Sequence, residues 1–303
     1  MAYNSFVPEV WEEKIERDLE RNYVYAVDCN RSYEGSVKSC GDTVHILGSG
    51  KPTIRSLSTY NSSGTRVSMG SGSINGPEEV NGSDITLVID QIRYFNFQVN
   101  DVDKAQAIGG VLEALTDEAN EGLACEADMY LSKVHLTLTD TSGTITSDQV
   151  TVNSVKVAEV KQTALSADNI LDTLDKGQQK LYENDVNTNT EVVVVMPPCV
   201  YTLFRKAYNA KDTDNSASMA NGKVAKYGNM TIKMSNNVHK NTAGDYHMQM
   251  KTKRAIAFAQ PLRHIEAFRP EGAFSDAVKG FILFGAKVVR PKEIVDLNVK
   301  LSA

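Results

Sequence analysis

The 303-residue sequence predicts an α+β fold, on three observations. Apolar residues alternate with polar ones in two stretches between Gly41 and Asn100, then recur at helical spacing from Asp101 to Val134. From about residue 190 onward candidate strands outnumber helices, without the strict alternation of βαβ units. At 41% hydrophobic, a chain of this length buries a core and divides into about two domains or one elaborated one.

The elements follow in chain order. In "SFVPEVWEEKIERDLERNYVYA", Pro8 suits a first helical turn, and Trp11, Ile15, Leu19 and Tyr23 recur every four residues among charges. This predicts a short amphipathic helix whose narrow apolar stripe needs a surface, on its own domain or on a neighbouring chain. Residues 41–100 read as a very long β-hairpin with legs "DTVHILG" and "ITLVIDQIRYFNFQV". In the second leg Ile85, Leu87, Ile89, Phe95, Phe97 and Val99 share a face, interrupted by Gln91 and Arg93. Between the legs, residues 48–82 hold seven glycines and eight serines among 35 residues, too few apolar groups for a core of their own. Their composition predicts that order comes from a partner, which would cover Ile54, Leu57, Tyr60, Val67, Met69 and Ile74.

A long helix is expected over 101–133, with Asp101 or Asp103 as N-cap and an apolar side of Ile108, Val111, Leu112, Leu115, Ala119, Leu123, Ala127 and Tyr130. Gly109-Gly110 and Gly122 are its weak points. A second helix is expected from Ser166 to about Asn184, carrying Ile170, Leu171, Leu174 and Leu181. "EVVVVMPP" reads as a buried strand stopped by Pro197-Pro198, which in turn open a helix in "CVYTLFRKAYNA". After a polar loop over 212–222 come the strands "MTIKMS", "YHMQMKT", "AIAFA", "IEAF" and "GFILFGAKVV".

The same residues exclude several chemistries. A net charge of −6 argues against a dedicated nucleic-acid binder. The first twenty residues contain "WEEKIERDLE" rather than an apolar signal core, and no apolar run approaches the ~18 residues of a membrane span, so synthesis and folding in a cytoplasm are expected. Cys29, Cys40, Cys125 and Cys199 show no C-x-x-C spacing and are expected to be reduced and mostly buried. "HILGSGKPTI" fails as a phosphate-binding loop, because His45 stands where its first glycine belongs and Pro52 where the magnesium-binding hydroxyl belongs. Asp101 and Asp103 begin like a calcium loop, but Ala105 and Gln106 break the series, and Asp212-Thr-Asp214 fails in the same way. The five histidines, His45, His135, His239, His247 and His264, form no local metal-ligand pair, and neither G-x-S-x-G nor H-E-x-x-H occurs. No catalytic residue, metal site or cofactor is assigned.

What is specific is an order of phrases. "NSFVPEVW…KI", "YEG…GDTVHI", "TLVIDQIRYFNFQVNDVDKAQA", "EADMYL", "VVVVMPPCVYTLF", "MTIKMSNNV" and "AIAFAQPLRHIEAFRPEGAFSDAVKGFILFGAKVVRPKEIVDL" together resemble the major capsid proteins of tailed bacteriophages, over nearly the whole chain. The resemblance implies a Hong Kong 97-like capsid fold: an N-arm over 1–40, an E-loop hairpin over 41–100, a peripheral domain over 101–164 and 286–303 with its spine helix at 101–133, and an axial domain over 165–285. It implies a non-enzymatic structural subunit of an icosahedral virion capsid, assembling in the bacterial host cytoplasm as pentamers and hexamers. Its expected partners are a separate scaffolding protein, a portal and enclosed DNA bound without sequence specificity, with no membrane.

The inter-subunit contacts are expected on the arm and E-loop, at Trp11, Ile15, Leu19, Lys51, Arg55, Tyr60, Arg66, Glu78 and Glu79. Some members of the fold join subunits through a Lys on the E-loop and an Asn near the C-terminal strands. Lys51 and Asn298 occupy roughly such places, but Lys51 stands at the foot of the loop, so no cross-link is expected. Two alternatives are carried: an encapsulin-like shell around an enzyme cargo and, from another class, an enzyme with dispersed catalytic groups.

Overall fold

A computed structural model of the chain describes residues 23–33, 43–48, 54, 83–100, 111–136, 156–209, 226–272 and 274–302. It divides into two compact units, one of residues 45–86 and one combining Met1–Val44 with Leu87–Ala303. The smaller unit contains most of a two-stranded sheet, β1 (Thr43–Gly48) paired with β2 (Ser83–Val88).

The expected second leg of the hairpin is two strands. β2 ends at Val88, and β3 (Gln91–Asn100) starts afresh after Ile89-Asp90. The alternation runs unbroken across the gap: Ile85, Leu87, Ile89 and Val99 are buried, Phe95 and Phe97 half-buried, and the even-numbered side chains from Val88 to Gln98 exposed. The two strands nevertheless have different partners. β3 is an edge of a three-stranded antiparallel sheet in the larger unit, next to β11 (Ser275–Val288), which pairs in turn with β10 (Ile256–Phe268). Residues 91–100 of the expected 41–100 hairpin therefore belong to the larger unit. "AIAFA" and "IEAF" are one strand, β10, whose register shifts between Ala259 and Leu262. The shift falls at Pro261, which has no N–H to give to a ladder.

The remaining strands form a seven-stranded sheet. Its order is β4 (Ala158–Leu165), β12 (Ile294–Leu301), β9 (Tyr246–Thr252), β5 (Val192–Met196), β7 (Met230–Met234), β6 (Lys226–Tyr227), with β8 (His239–Lys240) paired to β9. All five residues of β5 are buried, as its continuous apolar run requires. The grouping by sheets differs from the expected division at residue 285. β12 lies between β4 and β9, while β10 and β11 leave the large sheet to pair with β3. The expected peripheral domain already joined 101–164 with 286–303, and β4 and β12 do pair, but β9 on the other side of β12 lies in the expected axial stretch.

Among the described residues three helices pack against these sheets. α1 (Val111–Lys133) is the described part of the long helix, α2 (Ile170–Glu183) the second, and α3 (Pro198–Asn209) opens on proline as its sequence predicts. The proposed caps Asp101 and Asp103 lie outside the described residues. α2 ends in a Schellman motif: Asp185 takes φ 64°, its N–H bonds Tyr182 O at 3.0 Å, and Val186 N–H bonds Leu181 O at 3.3 Å. α2 covers the apolar face of the large sheet, so closely that a Cβ on Gly177 would lie 2.9 Å from Leu297 Cδ2 and 3.0 Å from Met250 Cε.

Part of the expected N-arm is core. Tyr23, Tyr25, Ala26 and Cys29 are buried around a 3-10 turn at Ala26–Asp28. Asn30 bridges to β10 through Asn30 N–H to Ile256 O (2.8 Å) and Phe258 N–H to Asn30 O (3.0 Å). Aromatic rings tie the region together, with Tyr23 edge-on to Phe258 at 6.3 Å and Tyr130 of α1 edge-on to Phe284 at 5.6 Å.

Candidate functional site

The proposed contact residues Trp11, Ile15, Leu19, Lys51, Arg55, Tyr60, Arg66, Glu78 and Glu79 all lie outside the described residues, as do Cys40, Asp212 and Asp214. Of the loop's apolar groups only Ile54 is described, and it is 96% exposed. Two features within the larger unit stand out instead, an exposed sheet face and a buried polar seam.

The exposed face belongs to the three-stranded sheet. Pairing places Tyr94 opposite the half-buried Phe281 and Ile92 opposite Leu283, itself buried, and His264 follows opposite Phe281 on the far strand. Directly opposed residues share a face. Tyr94 is 78% exposed, Ile92 48%, and Phe274, just before β11, 88%. His264 packs on Phe281 at 5.9 Å, and Lys279 both pairs with Glu266 at 2.9 Å and sits 4.9 Å over the Phe268 ring. That lysine holds the exposed Glu266 carboxyl below its usual range. The reverse face sends Phe95, Ile282 and Phe284 to the core. Apolar and aromatic groups left open beside charge pairs have the character of a protein contact surface.

The seam lies on one face of the large sheet. Register sets His247 opposite Asn298 and Gln249 opposite Asp296, so with Lys251 these side chains face the same way, whereas Met248, Met250, Val295 and Leu297 face α2. The end of α1 lies over this polar face. His135 Nε2 meets Asp296 Oδ1 at 3.0 Å with neither side chain exposed, and His247 Nδ1 meets Asp296 Oδ2 at 2.8 Å. Gln249 Nε2 donates to Leu131 O at 2.7 Å and contacts His135 Nδ1 at 2.9 Å. Burial works to raise the Asp296 carboxyl, but hydrogen bonds and charge from His135 and His247 outweigh it and hold the group below its ordinary value.

Further along the seam, Asp128 of α1 accepts from Val24 N–H (2.7 Å) and Tyr25 N–H (3.2 Å). Burial pushes its carboxyl up to about 6 against the pull of these amides, of Ala26 N–H and of Lys251. Lys251, wholly buried, donates to Cys29 Sγ at 3.0 Å. Burial raises the Cys29 thiol despite that lysine. Asn298, 5% exposed, donates to Glu159 Oε1 at 2.8 Å. Cys29 is buried as expected, while Cys125 and Cys199 are only half-buried, and all three are free thiols.

Sequence reasoning missed this seam. The buried side of α1 includes Thr116, Asn120, Asp128 and Ser132 beside Leu123, Ala127 and Leu131, and His135 follows just past its end. The signal was present as three- and four-residue spacing of those polar residues, adjoining the apolar stripe. Among the described residues no group of three or more His, Cys, Asp or Glu side chains is arranged to hold a metal ion, and no helix is long and apolar enough to cross a membrane.

Comparison with known proteins identifies the architecture. No protein-family model matches the chain, and no curated protein sequence does. Solved structures do. A structure from Mycobacterium phage Che8 superposes with a TM-score of 0.70 at 23% identity, covering 91% of this chain and 90% of that one. The capsid structure of the cyanophage P-SCSP1u gives 0.66 at 16% identity, covering 90% and 86%. A virus-like particle from Pyrococcus furiosus gives 0.56 at 12% identity, covering 95% and 98%. The chain has the mixed α+β fold of these phage capsid structures.

Proposed function

We propose that this chain is the repeated subunit of an icosahedral phage head of Hong Kong 97 type, self-assembling through pentamers and hexamers around packaged double-stranded DNA. The similarity to the cyanophage capsid over nine-tenths of the chain carries this reading. The open positions Ile92 and Tyr94 on one sheet face support it, since a closed shell requires each chain to present heterologous contact surfaces.

In this reading the amphipathic segment with Trp11, Ile15 and Leu19 and the Gly/Ser-rich segment with Lys51, Arg55, Tyr60, Arg66, Glu78 and Glu79 reach over neighbouring subunits. Arms of that length bury area well beyond the ~1,600 Å² of a standard interface without enlarging the core. A separate scaffolding protein and a portal complete the head, which assembles in the host cytoplasm.

Expression of the chain alone and with its genomic neighbours, followed by sedimentation and negative-stain microscopy, tests the proposal. Rings, tubes or closed shells are expected. A stable monomer at every concentration, with the neighbours present, overturns it. The similarity to the virus-like particle supports a second reading, a compartment shell around a protein cargo. Nuclease-protected DNA inside purified particles favours the head, and a co-purifying enzyme without DNA favours the compartment.

A further inference from the structure

Three histidines and a carboxylate meet at the end of α1. Gln249 Nε2 faces the Leu131 carbonyl, which can only accept, so the amide orientation is set and its second hydrogen points at His135 Nδ1. His135 Nδ1 therefore keeps its lone pair, and its Nε2 carries the hydrogen donated to Asp296.

His247 is placed differently. Its Nδ1–H donates to Asp296 in either protonation state, so its exchangeable proton sits on Nε2, and its side chain is 12% exposed. His239 lies directly across the β8–β9 pair from His247, with the rings 5.8 Å apart. The charged groups facing these rings come from every adjoining element: Asp296 of β12, Glu159 of β4, Asp245 before β9 with Lys300 at 4.0 Å, and Lys133 at the end of α1.

We propose that His239 and His247, set beside the His135–Asp296 contact, form a proton-operated latch that fastens the C-terminal end of α1 to β8, β9 and β12 near neutral pH and releases it on acidification. The first proton goes to His247 and strengthens its bond to the Asp296 carboxylate. A second, on His239, places a like charge against the His247 ring and against Lys133 at the end of α1.

The directions of titration agree with this order. Burial works to lower His247, but the Asp296 hydrogen bond and charge, with Glu159 and Asp245, outweigh it and raise the group. Burial, then His247, Lys133 and His135, lower His239 against the pull of Asp296. The raised His247 stabilises the fold below about pH 6.5, the ordinary histidine value, and that contribution is lost as pH rises through its folded value. The lowered His239 withdraws stability as pH falls below about 6.5. The latch is therefore tightest close to that pH and opens on the acid side.

Hydrogen exchange read by mass spectrometry on the full-length unassembled chain, from about pH 8 to 5 and corrected for intrinsic rates, tests the latch. Amides of residues 131–136 should lose protection by about tenfold or more between pH 6.5 and 5, while those of Val192–Met196 keep theirs. His239→Gln, a change at a half-exposed position, should move the midpoint of that loss to lower pH by about half a unit or more. Protection of 131–136 that is flat with pH, or a midpoint that His239→Gln leaves in place, overturns the proposal. Neither measurement depends on whether the chain forms a shell.

Discussion

His135 and Asp296, 161 residues apart in sequence, meet at 3.0 Å with no exposure of either side chain. Through this contact the end of α1 and the β12 strand become one structure. Asp296→Ala removes an acceptor shared by two imidazoles in a buried site, and should lower unfolding free energy by about 3 kcal/mol or more. Urea unfolding of the purified subunit, followed by far-UV circular dichroism, measures the loss.

Asp128 gives a separate pH signature. Its folded carboxyl titrates near 6 and an unfolded one near 4, so between those values the folded chain keeps a proton that the unfolded chain has released. Stability from this group therefore falls as pH rises through the window, by about 3 kcal/mol in all. Asp128→Asn should remove that slope, and the difference between wild-type and variant urea midpoints across pH 4 to 6 reads it directly.

Gly285 on β11 sits against the link between β2 and β3. A Cβ there would lie 2.4 Å from Val88 O and 3.0 Å from Ile89 Cα, both backbone atoms that cannot swing aside. Gly285→Ala should cost about 1–3 kcal/mol, seen as a lower thermal midpoint with secondary structure retained.

Tyr94 and Ile92 contribute little to the subunit's own core at 78% and 48% exposure. The paired change Ile92→Lys with Tyr94→Ser should leave the thermal midpoint of the subunit within a few degrees of wild type while reducing assembled particles about tenfold or more by sedimentation. Equal assembly of both proteins would place the contacts of the proposed shell elsewhere.

Asn298 is nearly enclosed within its own subunit and tied to Glu159 at 2.8 Å. Particles boiled in denaturant should accordingly run as a single monomer band. A ladder of covalent oligomers would show a cross-link made despite that burial.

Much of the fold was legible because local rules carried it. The five-residue apolar run of β5, the proline start of α3 and the two-residue alternation from Ile85 to Val99 each express a preference of a few neighbouring residues. Element partners were less accessible. Nothing local in "ITLVIDQIRYFNFQV" says that its first half pairs with β1 and its second with β11. Tyr23 and Tyr25 fell within the expected arm because their burial depends on α1 and β10. The proposed arm and loop contacts lie outside the described residues and rest on sequence alone.

The sequence by itself determined the α+β class, the type and approximate place of the described helices and most strands, and a resemblance to phage coat proteins, since periodicity, proline and phrase order are all properties of the linear chain. Only the tertiary structure decided which strands share a sheet, which side of the three-stranded sheet stays open, and that histidines 112 positions apart, His135 and His247, face one carboxylate. Those outcomes depend on hydrogen bonds and burial between segments distant in sequence, so no local pattern of residues encodes them in readable form.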